Sequence, residues 1–209
     1  MEGVPPPAVP LEAGIGPENP PCPACGEPLF GWVTAGSEPV RRCEACGLGV
    51  IGEVGDAAEA LRALERRRMA GSATPRYLID NRSSVQASLG EKGWVAIEPG
   101  GDYLFTPEAV RRLVSDRGQV VAGVHWRPGP SVVGMWGTML NSFTWGRNVA
   151  LGAIGRAQPA PAAKRWQRAM DTTISILATP LVLVAALLSE TAAGLVGRGG
   201  VLELTLRPR

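Results

Sequence analysis

Lysine is nearly missing from this chain of 209 residues: Lys92 and Lys164 are the only two, and every other base is an arginine. Histidine occurs once, at His125, so no centre built on several histidines can form. A single histidine in a strand-like run beside Trp126 reads as a packing or hydrogen-bonding residue, although a carboxylate could pair with it. No charge sign dominates. The net charge of +2 excludes a broadly basic nucleic-acid binder. Charged residues are 19% and apolar residues 45%, which excludes a disordered polyelectrolyte and leaves enough apolar surface for a core. No G-x-S-x-G, P-loop or H-E-x-x-H motif occurs. Residues 1–20 hold Pro5, Pro6, Pro7 and Pro10, then Gly14, Gly16 and Pro17, and carry neither a basic n-region nor an apolar h-region. They are expected to form a disordered lead rather than a secretory signal, which makes the cytoplasm the default compartment.

Four cysteines are present, at Cys22, Cys25, Cys43 and Cys46, spaced C-x2-C-x17-C-x2-C. In a reducing compartment such a set reads as metal ligands rather than disulfides. A two-residue spacer lets both sulfurs of a pair converge on one ion. The glycine after each pair, Gly26 and Gly47, permits a positive φ where the backbone closes around the thiolates. Between the pairs, Leu29–Val33 and Pro39–Arg42 can supply two short strands joined at Gly36 and Ser37. The layout over residues 21–50 is that of a zinc ribbon, and four thiolates filling a tetrahedron make the zinc structural. Glu27, Glu38 and Glu44 outweigh Arg41 and Arg42, which suits a staple or a protein-docking knob better than a phosphate site. Gly47, Gly49 and Gly52 spell G-x-G-x-x-G, but no strand precedes them and no acid falls near residues 71–74, so they read as the exit of the ribbon.

Residues 51–130 are expected to form a small α/β domain. Asp56 caps a helix that runs to Met69 and ends in Arg66-Arg67-Arg68, a solvated basic end or a phosphate or lipid contact. Trp94–Glu98 reads as a buried strand. Thr106 with Pro107 starts a helix whose apolar face is Val110, Leu113 and Val114. Gln119–Trp126 reads as a further strand. Asp102 and Glu108 flank the loop, and Glu108 is explained as a helix N-terminal acid.

Residues 131–209 are an apolar helical region with a terminal strand. Trp136, Met139, Leu140 and Phe143 recur at helical spacing, either as a core stripe or, between Arg127 and Arg147, as an interfacial helix. Ile174–Ser189 is sixteen uncharged residues. At 1.5 Å per residue that is about 24 Å, short of a bilayer's hydrocarbon core of about 30 Å. Extending to Val196 would span, but includes Glu190 and Pro180. Lys164, Arg165, Trp166 and Arg168 precede the run and suit anionic headgroups. An in-plane helix is preferred over a spanning or a buried one, because residues 201–206 alternate like a strand returning to the sheet.

Taken together, Gly93-Trp94-Val95-Ala96-Ile97-Glu98, Leu104-Phe105-Thr106-Pro107-Glu108, Val120-Val121 and Gly197 to Leu204 resemble the distal part of class I SAM-dependent methyltransferases. A subgroup of that family carries an N-terminal zinc ribbon similar to Cys22–Cys46. The resemblance implies a remnant of the methyltransferase sheet. Only 47 residues separate Cys46 from Trp94, and they hold no glycine-rich SAM turn, so the cofactor half is missing. No residue is assigned as catalytic or as a SAM ligand. The expectation is a zinc-binding, non-catalytic accessory or scaffold protein at the cytoplasmic membrane face, peripheral or single-pass, with a protein partner. The alternatives are a methyltransferase acting alone or with a partner, and a ribbon that binds nucleic acid.

Overall fold

The computed structural model describes residues 19–71, 74–98, 100–157, 159 and 164–209. The lead expected over residues 1–20 therefore lies almost wholly outside the described residues.

The chain after Cys25 turns into strands β1 (Leu29–Ala35) and β2 (Glu38–Cys43), a hairpin closed at Gly36, whose φ of 63° suits a residue without a side chain. Strand β3 (Gly49–Ile51) pairs with β2. Helix α1 (Ala57–Arg66) follows, with the Asp56 carboxylate accepting the Glu59 N–H at 2.7 Å. Strand β4 (Arg76–Asp80) and helix α2 (Val85–Gly90) come next. Strand β5 (Tyr103–Leu104) then returns to pair with β3. Helix α3 (Pro107–Ser115) opens with Pro107 in its first turn and Thr106 as cap, and strand β6 (Gln119–Trp126) follows it. Helices α4 (Pro128–Asn141), α5 (Val149–Ala153) and α6 (Arg165–Leu195) precede the last strand, β7 (Val201–Pro208).

The result is a mixed α/β protein with two small sheets, ordered β1-β2-β3-β5 and β4-β7-β6. Every ladder pairing between these strands is antiparallel. The last strand takes the centre of its sheet, and Leu202, Leu204 and Leu206 are buried there. With Tyr77 and Ile79 they face Leu61 and Leu64 of α1 and Val110, Leu113 and Val114 of α3 in one core, which also takes in Cys22, Cys43 and Cys46. A second cluster gathers Val40, Ile51, Trp94, Ile97 and Leu104. A third, with Met135, Trp136, Leu140, Leu151, Val182 and Ala186, lies where α4, α5 and α6 meet.

Three expectations are corrected. Residues 94–98 form no strand. A single 3-10 turn at Glu91–Gly93 leads into a tight bend with the Ile97 N–H on the Trp94 carbonyl at 3.0 Å. Trp94 and Ile97 are buried as side chains, and the carbonyls of Trp94 and Ile97 are taken by the Arg147 guanidinium at 3.1 and 2.7 Å instead of by a ladder. The sheet position went to β4, where buried Tyr77 and Ile79 alternate with half-buried Arg76, Leu78 and Asp80 and pair with β7. Phe143 leaves the α4 stripe, because the helix ends at Asn141 and Phe143 is exposed. Arg127 and Arg147 do not flank an interfacial helix as free cations: Arg127 pairs with Glu203 at 3.2 Å, and Arg147 turns inward.

Candidate metal centre

The two cysteine pairs are held by matching backbone turns. In the first, the Cys22 N–H donates to the Glu27 carbonyl at 2.7 Å and the Gly26 N–H to the Cys22 carbonyl at 2.8 Å. In the second, the Cys43 N–H donates to the Leu48 carbonyl at 2.8 Å and the Gly47 N–H to the Cys43 carbonyl at 3.0 Å. Gly26 and Gly47 lie at φ of 78° and 76°, the left-handed region where a side chain is strained. A Cβ on Gly47 would also stand 2.9 Å from Thr106 Cγ2, since the N-terminus of α3 abuts this turn.

The four sulfurs lie within 4.8 Å of one another. Cys22 and Cys46 are 3.6 Å apart, and Cys25 and Cys43 are 3.5 Å apart. A tetrahedral ion with metal–sulfur bonds of about 2.3 Å places its ligands about 3.8 Å apart. Cys22, Cys43 and Cys46 are buried and Cys25 half-buried. The hydrogen bond with Cys22, together with burial, pushes the Cys46 thiol up, and the same bond holds Cys22 down to about 5. Burial also pushes Cys25 up. Four cysteine sulfurs at this spacing fit a metal ion that prefers sulfur, which would hold all four as thiolates.

The remaining residues singled out from the sequence are scattered. Gly49 lies in β3 against Leu104, and Gly52 sits at φ 76° just after β3, so the three glycines form no phosphate loop. His125 is exposed on the edge strand β6 opposite Glu203. Helix α1 ends at Arg66, short of the expected Met69, and the arginines at its end are engaged: Arg66 pairs with Asp102, Arg67 with Asp80 at 3.2 Å, and Arg68 with Glu65 at 3.9 Å. Glu108 binds Arg112 at 2.9 Å and Arg111 at 3.3 Å within its own helix.

Helix α6 is the second feature of note. Among the described residues it is the one helix long and apolar enough to cross a membrane, by length and composition, and 17% of its most apolar window is buried. Asp171, Ser175, Val182, Ala186, Glu190 and Ala193 form its buried face. The two carboxylates are 0% exposed, while Leu181 is 77% and Leu195 81% exposed. Asp171 accepts the N–H groups of Trp145 and Gly146 at 2.9 and 2.8 Å, and Glu190 accepts the N–H of Gly200 at 3.0 Å. Lys164, Arg165, Trp166 and Arg168 are exposed at its start. The sequence reading missed this division into faces. Its signal was present: the acids, the serine and the small residues recur at helical spacing opposite the leucines.

No family model, curated protein or solved structure matches this chain.

Proposed function

We propose that this protein is a zinc-stapled, non-catalytic accessory or scaffold protein that rests on the cytoplasmic face of a membrane through α6. The single observation that carries the reading is the inverted helix: its two carboxylates are buried and its leucines face outward. A helix of a soluble body exposes its acids and buries its leucines. An outward face of this size marks a protein or membrane contact, and the basic and aromatic start of α6 suits a bilayer surface. Both buried carboxylates bond to the soluble body, which favours a helix lying in the interface over one crossing it. Zinc is the ion that four thiolates in a ribbon fit, with no open position for a substrate.

Catalysis by methyl transfer is the rival. A SAM-binding half is built of βα units with parallel strands, and among the described residues the ladders are antiparallel. Nucleic-acid binding by the ribbon is less well supported, since Arg42 pairs with Glu44 at 2.7 Å and Arg41 donates to the Gly52 carbonyl at 2.9 Å.

Two measurements test the reading. The protein should co-sediment with lipid vesicles, and Leu181→Glu with Leu188→Glu should abolish this while leaving the melting temperature nearly unchanged, because both side chains are exposed. Saturable SAM binding by calorimetry would overturn the non-catalytic assignment.

A further inference from the structure

We propose that Phe143, Trp145 and Trp166, with Lys164 and Arg165, form a preassembled anchor that seats in the headgroup layer of an anionic lipid bilayer. The inference rests on the membrane reading of α6 and names the lipid chemistry which that surface selects.

The anchor is built by Asp171. This carboxylate is fully buried and takes both the Trp145 and Gly146 N–H groups, so the loop after α4 is tied to the first turns of α6. The tie sets the Trp145 ring edge-on to the Trp166 ring, with centroids 5.4 Å apart at 69°. Trp145 and Trp166 are 53% and 55% exposed, and Phe143 is 61% exposed. Large aromatic rings held outward by hydrogen bonds to a buried carboxylate have been oriented in advance of any contact. The cost of ordering them is therefore met in the free protein. Indole rings favour the boundary between headgroups and acyl chains.

The occupant follows from charge. Lys164 and Arg165 sit beside Trp166 and are exposed, whereas neither of the carboxylates of α6 reaches the outward face. Further along lie Ile176, Leu177, Leu181, Val184 and Leu188, all exposed. A cationic and aromatic end followed by an apolar stripe matches a leaflet with negative headgroups over hydrocarbon. A second copy of the same face would instead oppose like charges at that end if the two helices packed in parallel.

The test uses the full chain with vesicles of phosphatidylcholine alone and of phosphatidylcholine mixed with phosphatidylglycerol, the latter also carrying lipids brominated near the headgroup. The expected result is tighter binding to the anionic vesicles by about tenfold or more, weakened by salt. Lys164→Ala with Arg165→Ala removes that preference. Trp145→Phe with Trp166→Phe removes most of the bromine quenching of tryptophan emission while keeping the fold. Equal binding of the wild type to both vesicles overturns the anionic anchor and leaves the membrane reading standing. Anionic preference without loss of quenching in the double Phe variant also overturns the anchor. Binding to neither vesicle, with sedimentation as a stable dimer, assigns the face to a second copy and overturns both.

Discussion

The hydroxyl of Thr106 performs two tasks at one atom. It accepts the Ala109 N–H at 3.0 Å as the cap of α3 and donates to the Cys46 carbonyl at 2.6 Å. Replacement by alanine removes both bonds from a buried site, so Thr106→Ala should cost about 2 kcal/mol in urea unfolding, and Thr106→Ser should recover most of it. Glu98 shows the opposite balance. Burial and then the charge of Asp80 push its carboxyl above the usual range, against Arg147 and a hydrogen bond from Asn148 at 3.1 Å. An acid raised in the folded state binds more protons there than in the unfolded chain. Stability therefore falls as pH rises from the unfolded value of about 4.3 through the folded one, and stays lower above it. Glu98→Gln retains an acceptor for Asn148 and should flatten that part of a melting-temperature profile. An unchanged profile would show that Glu98 titrates normally.

At the scale of elements, the joint between α6 and β7 is closely packed. Gly194 and Gly199 lie against the Trp126 ring, and Gly200 lies against Gln86; a Cβ at any of them would run into its neighbour. Trp126 Nε1 donates to Ser131 Oγ at 3.0 Å, and Ser131 Oγ accepts the Val201 N–H at 2.8 Å. Gly199→Ala should destabilise by about 1–3 kcal/mol by overpacking, read as a lower denaturant midpoint with an unchanged slope. Elements with their own punctuation were legible in the sequence. Asp56, Thr106 and Pro107 marked two helix starts, and β6 was bounded correctly from Gln119 to Trp126. Residues 94–98 were not legible, because a short apolar run between Gly93 and Pro99 buries its side chains equally well in a bend. Strand β4 was missed because five residues carry a weak alternation that only pairing with β7 makes decisive.

For the whole molecule, the cysteine cluster is part of the main core rather than an appended bead. Cys22, Cys43 and Cys46 share their cluster with Phe105, Tyr77 and Leu204, and the sheet of β1, β2 and β3 is completed by β5 from residues 103–104. Chelation should therefore lower the melting temperature of the entire protein, by about 10 °C or more, in a single transition. Elemental analysis of protein from zinc-replete cells should find about one zinc per chain, and less than half an equivalent would remove the zinc assignment.

What the sequence by itself determined is what lies within short spans: the cysteine spacing, the capped helix starts, the apolar length of α6 and the alternation of its last strand. Each depends on neighbours a few residues apart, where local geometry alone decides. What only the tertiary structure decided is which distant elements meet one another. The placement of β7 between β4 and β6, the bonds of Asp171 to the loop after α4, and the setting of Trp145 against Trp166 all join residues tens of positions apart. Such contacts are selected by how the packed elements fill space and satisfy buried polar groups, and no local pattern encodes them.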